Sequence, residues 1–176
     1  MYHLTKGGAT TQAVAAAAVT EMQQYLSFVV GSETYALGIL DVKEIIEYAS
    51  VTRVPMMPMT IRGIINLRGK VVPVIDLGVR FSSIPTTPSR RTCIVIVEVE
   101  TGDVRHDMGV MVDAVNEVLD ISPENVEPPP AFGASVRADF IHGMGRVDNR
   151  FVILLDVKKV LSVEELAQVQ TLAIAH

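Results

Sequence analysis

The sequence holds one cysteine, no tryptophan and nine other aromatic residues, and its longest unbroken apolar run, Ala13 to Val19, has seven residues. Each shortage excludes something. Cys93 alone can neither close an internal disulfide nor hold zinc without partners that are missing here, so it is expected to be a buried apolar side chain. Reading single strands requires aromatic platforms, and neutralising phosphates requires clustered cations. With 15 basic against 20 acidic residues the chain carries −5, so no nucleic-acid partner is expected. A membrane helix needs roughly 20 apolar residues, so no direct membrane insertion is expected. Lys6 followed by alanines lacks the leucine-rich centre of a signal peptide, which leaves a soluble, cytoplasmic protein as the expectation. Phosphate loops, dinucleotide fingerprints and nucleophile elbows are missing as well. His3, His106, His142 and His176 are scattered, with no metal-ligand spacing. No cofactor, no metal and no enzymatic activity are expected.

Valine (27) and isoleucine (14) dominate what is present, and β-branched side chains favour pleated structure. Short apolar runs bounded by turn signals predict strands over Tyr25–Val30, Tyr35–Leu40, Ile61–Leu67, Lys70–Ile75, Cys93–Val99, Gly109–Val112, Ile141–Val147 and Arg150–Leu155. Arg68-Gly69 and Asp148-Asn149 separate paired runs as two-residue hairpin turns. Pro73 removes a ladder donor, so an edge or a bulge is expected there. Ser162 with Glu165 forms a capping box ahead of an apolar stripe, which predicts a C-terminal helix or tail over 162–176. Residues 1–23 are an alanine-rich extension, either disordered or docking through Val14, Ala18 and Met22. Proline-rich stretches at Ser82–Ser89 and Pro128–Pro130 read as loops, the first a seam between halves.

The two halves follow one plan. An offset of 80 lays Ile61-Arg62-Gly63 on Ile141-His142-Gly143, Val72 on Val152 and Asp76 on Asp156; an offset of 73 lays Val42–Ile46 on Val115–Leu119. A β module of this size must close on itself to hide its edges. The expectation is a mainly β protein of two small barrels, 24–90 and 91–161, which exchange terminal strands or stand apart, with a groove at their seam. Their charges differ, +2 over 25–90 and −5 over 91–160.

Two arrangements invite function. Asp76 and Asp156 end equivalent strands and could share acid and base roles in a small hydrolase, or each could cap the following turn. Arg68 sits at a hairpin tip, where its rigid guanidinium suits a carboxylate on a partner or on a neighbouring segment. Glu44 is a candidate for that carboxylate. Around it Ile39, Val42 and Ile45 are either core or a docking surface for an amphipathic helix.

Four stretches in order, QYLSFVVGSETYALGILDVKEII from Gln24, TRVPMMPMTIRGIINLRGKVVPVIDL from Thr52, MGVMVDAVNEVL from Met108 and FIHGMGRVDNRFVILLDV from Phe140, resemble the CheW family, adaptors that couple bacterial chemoreceptors to the histidine kinase CheA. The resemblance implies two five-stranded barrels of the Src-homology-3 (SH3-like) type, short helices and function by binding. It implies partners too, the regulatory domain of CheA and the cytoplasmic tip of chemoreceptors, with association to receptor arrays through them. Carried onto this sequence, the kinase-binding candidates are Ile65, Leu67, Arg68, Gly69 and Val71. Receptor-binding candidates are Leu26, Ile39, Val42 and Ile45, while Glu44 and Arg68 match polar positions implicated in coupling, partner unassigned. A related scaffold of a non-motility pathway would carry the same pattern.

Overall fold

The computed structural model describes residues 21–49, 51–129 and 137–162, so the predicted C-terminal helix and most of the N-terminal extension lie outside the described residues. In chain order the strands are β1 (Gln23–Val30), β2 (Glu33–Gly38), β3 (Val42–Glu47), β4 (Ile61–Leu67), β5 (Lys70–Asp76), β6 (Cys93–Thr101), β7 (Val104–Val112), β8 (Ala114–Ile121), β9 (Val126–Glu127), β10 (Ile141–Val147) and β11 (Arg150–Leu155). Two short helices, α1 (Leu77–Ser82) and α2 (Val157–Val160), follow β5 and β11. The protein is mainly β.

The strands make two sheets, ordered β8-β1-β2-β11-β10-β9 and β3-β6-β7-β5-β4. Both curl shut. β8 runs through a 3-10 turn, Pro123–Asn125, straight into β9, so the outer strands of the first order are one bent segment that pairs with both β1 and β10. In the second, Thr52, just after β3, exchanges backbone hydrogen bonds of 2.9 Å in both directions with Ile64 on β4. Glycine makes both closures possible. A Cβ on Gly63 would lie 2.3 Å from the Thr52 carbonyl oxygen, and one on Gly143 would lie 2.7 Å from Val126 Cγ1 and 3.1 Å from the Glu127 carbonyl oxygen. Each glycine also follows a register shift in its strand, where a bulge sharpens the bend.

The sheets do not follow the halves 24–90 and 91–161. The hairpin β1–β2 completes the sheet of β8, β10 and β11, whereas β6–β7 completes that of β3, β4 and β5. Each hairpin thus crosses to the barrel built by the other half, and the parallel pairs β5–β7 and β11–β2 are the joints.

Burial explains why these hairpins read as continuous apolar runs. Along β6, Ile94 and Ile96 fill one barrel with Ile65, Val72, Val74 and Met111, while Val95, Val97 and Val99 face the other way into a cluster with Leu26, Phe28, Tyr35 and Leu37 from β1–β2. Tyr25, Ala36, Ile121, Val152 and Leu154 fill the second barrel. The seam is therefore a shared core, and burying each large apolar side chain there stabilises by roughly 1.5–3 kcal/mol. Tyr35, Phe81 and Phe140 stack in sequence across it, with ring centroids 4.9 and 6.2 Å apart. Arg80 Nε of α1 donates to the Val160 carbonyl oxygen of α2 at 2.9 Å, a polar tie beside that stack.

Candidate functional site: a hairpin tip, a groove and the rim of the seam

The turn between β4 and β5 forms because both central residues take left-handed backbone, Arg68 at φ 53° and Gly69 at φ 84°. That matches the right-handed twist of the flanking strands. Asn66 Oδ1 accepts from the Gly69 N–H at 2.9 Å and fixes the turn from within. Arg68 projects from the tip, and its guanidinium donates to Glu44 Oε2 on β3. The hydrogen bond and charge of Glu44 push the Arg68 guanidinium above its already high pKa, so it remains cationic throughout the physiological range. Solvent screens an ion pair at so exposed a tip, so its value to the fold is small.

Beside the tip lies a groove of about 700 Å³. Its origin is the joint between β5 and β7, whose parallel ladder covers only Val74–Asp76 against Gly109–Met111. Before Val74 the two strands part, and Pro73, lacking an N–H, stands at the first unpaired position; this is the edge that the proline predicts. The floor is apolar, with Met57, Ile61, Ile64 and Met108, and Val71 on its wall is 69% exposed. Ions line the opposite rim. Lys43 Nζ reaches Asp107 at 3.0 Å and Glu98 at 3.8 Å, and Arg105 reaches Glu98 at 3.5 Å.

The site residues expected from sequence divide by burial. Arg68, Gly69 and Val71 are exposed and Leu67 half-buried at one end of the barrel, next to Glu44. Ile65 points inward and is 6% exposed, so it shapes this face from beneath and is withdrawn from direct contact. Leu26, 3% exposed, is likewise part of the shared seam core. Ile39 and Val42 are half-buried against the edge of that core, and Ile45 is exposed on β3. Sequence reasoning missed Leu40, which is 98% exposed. It reads as the last apolar residue of a strand, but the chain leaves β2 at Gly38, and a 3-10 turn over Ile39–Asp41 turns Leu40 outward.

Asp76 and Asp156 both serve as helix N-caps. Asp76 is fully buried and accepts from the Gly78 N–H at 2.9 Å, the Thr86 N–H at 3.0 Å, the Thr86 hydroxyl at 2.7 Å and the Arg62 guanidinium at 3.4 Å. Asp156 accepts from the Lys158 and Lys159 N–H groups at 3.1 and 3.4 Å. Each caps its own helix, the capping role that the sequence offered as the alternative.

The second barrel repeats the hairpin with different chemistry. Asp148 and Asn149 adopt φ 47° and 65°, with Asp148 where the first barrel has Arg68. Its arginine has moved into the strand, where Arg146 pairs with Glu127 and lies 5.8 Å over the Phe151 ring.

Two closed five-stranded barrels trade hairpins over a common core, and exposed charged and apolar groups stand at the turn tip and the rims. The chain belongs to the CheW-like domain family, whose pattern matches residues 24–165. It is 36% identical to the chemotaxis protein CheW of Klebsiella aerogenes over 154 residues, which is 88% of this chain and 90% of that one. The chemotaxis protein CheW of Treponema pallidum is 32% identical over 86% of this chain and 89% of its own length. In three dimensions it is similar to the scaffolding protein TtCheW of Thermoanaerobacter tengcongensis, with a TM-score of 0.71 at 35% identity, covering 79% of this chain and 87% of the other.

Proposed function

We propose that this protein is a non-catalytic coupling adaptor of bacterial chemotaxis, holding the tip of a chemoreceptor and the regulatory domain of the kinase CheA in fixed relative geometry. The observation that carries the reading is Arg68. An arginine occupies a left-handed turn position that glycine or asparagine would hold more easily, and it presents a guanidinium on an exposed tip beside the exposed Val71. Resemblance to the family supports the assignment of faces in this reading: the hairpin face with Leu67, Arg68, Gly69 and Val71 meets the kinase, and the rim of the seam with Ile39, Val42 and Ile45 meets the receptor. Glu44, on β3 between those faces, ties the hairpin to the strand that carries Val42 and Ile45.

The protein contributes no chemical step. A receptor signal reaches the kinase only if contacts on these faces differ between two states of the assembly. Small barrels offer modest interfaces, so repeated engagement in a cytoplasmic array beneath the receptors supplies the avidity. The test is titration calorimetry against the regulatory domain of the cognate kinase. Micromolar binding that Arg68→Asp weakens by about tenfold or more, equivalent to ~1.4 kcal/mol, is the expected outcome. Unchanged affinity in the variant would remove the hairpin from the kinase face.

A further inference from the structure

Gly69, at the tip of the β4–β5 hairpin, has no side chain to hold it in place. Beyond its two chain neighbours, no heavy atom lies within 4 Å of the point where its Cβ would stand, and glycine passes freely between backbone regions of either sign of φ. Its N–H is nevertheless engaged, by Asn66 Oδ1 at 2.9 Å, from the end of β4. The neighbouring Arg68 is held as well, where its guanidinium donates to Glu44 on β3. The tip is thus fixed twice, at its backbone and at the head of the side chain it presents.

Turn formation does not require the backbone contact. The second barrel makes the same two-residue turn at Asp148 and Asn149, with φ 47° and 65°. There the counterpart of Asn66 is Arg146, whose guanidinium carries donors and no acceptor and is engaged with Glu127 and the Phe151 ring. Asn66 is itself exposed, opposite Val71 in the ladder, so the core makes no use of its side chain. A hydrogen bond that the sister hairpin does without, made by a side chain outside the core, has its consequence at the tip.

We propose that Asn66 is a positioning residue for partner binding: by holding the Gly69 N–H it keeps Arg68 in the turn geometry that a partner carboxylate meets, before the partner arrives. This role rests on the adaptor reading above. Without the clamp the free tip spends part of its time in other turn conformations that glycine permits, and the apparent affinity falls in proportion to the competent fraction. A net side-chain hydrogen bond shifts such an equilibrium by about fivefold.

Asn66→Val tests this in the full-length chain. It removes the acceptor and puts a β-branched residue at an exposed strand position, so the fold is retained, as an unlowered thermal midpoint verifies. In the free protein, solvent exchange of the Gly69 amide measured by NMR is expected to quicken about fivefold. In titration calorimetry against the kinase regulatory domain, the variant is expected to bind about fivefold more weakly than the parent, and less than about twofold more weakly when both carry Arg68→Asp. A side chain that touched the partner directly would cost the same in both backgrounds. That equality, an unchanged Gly69 exchange rate or an unchanged affinity would overturn the positioning role. The parent's own titration separates the two readings: a parent that does not bind removes the adaptor reading and this role with it, whereas a binding parent with equal costs in both backgrounds removes the role of Asn66 alone.

Discussion

Arg68 holds a backbone conformation that costs an L-residue about 1 kcal/mol, and its ion pair with Glu44 is too exposed to repay much of it. Folding alone would favour glycine here. The expected outcome for Arg68→Gly is therefore a urea midpoint equal to or above that of the parent, combined with loss of kinase binding in calorimetry; a lowered midpoint would show that the arginine serves the fold. Asp41 gives a second separable effect. Its burial pushes the carboxyl above the usual 3.8, opposed by the Lys158 ammonium and reinforced by the Asp156 charge. The folded chain thus binds this proton more tightly than the unfolded chain, and the ionised group at neutral pH opposes folding. Asp41→Asn should melt higher than the parent at neutral pH. The gain should shrink as the pH falls through the raised value and be gone below 3.8, as thermal melts across that window would show.

At the scale of elements, the closure of each barrel hangs on a glycine. An added Cβ at position 63 meets a backbone oxygen at 2.3 Å, whereas at position 143 the nearest atom is a valine methyl that can turn away. Gly63→Ala should cost about 2 kcal/mol or more and Gly143→Ala distinctly less, with chemical denaturation ranking the two. The strands themselves were largely legible. Ile61–Leu67, Ile141–Val147, both two-residue turns and the unpaired edge at Pro73 stand where pattern and turn chemistry put them. β3, β8, the two-residue β9 and the start of β7 were not. β7 begins at Val104, five residues before the predicted Gly109, because its first residues lie exposed along β6 and carry Arg105, His106 and Asp107 in place of apolar side chains. β3 and β8 are half-exposed strands with mixed polar patterns, visible in the sequence only as copies of each other.

At the scale of the molecule, the reciprocal exchange of hairpins makes the two barrels one cooperative unit. Residues 24–90 lack β6–β7, which supplies two of the five strands of their barrel, and residues 91–161 lack β1–β2 in the same way. Either half expressed alone should show no cooperative thermal transition by circular dichroism, while the whole chain unfolds in one step; a folded half would contradict the shared core.

By itself the sequence determined the β-rich class, the duplicated plan, the hairpin at Arg68 and, through four long motifs, the CheW family. These depend on local propensity, on positive-φ turn residues and on pattern, all of which are written along the chain. Which hairpin completes which barrel was decided only in three dimensions, because β1–β2 and β6–β7 are apolar on both faces and periodicity cannot say against which sheet each face lies. The family resemblance put Leu26 and Ile65 among the binding candidates though both are core, and the same ambiguity of direction placed Leu40 at the end of a strand though it faces solvent. An apolar residue in a short run carries no mark of its direction; packing against the partner sheet assigns it.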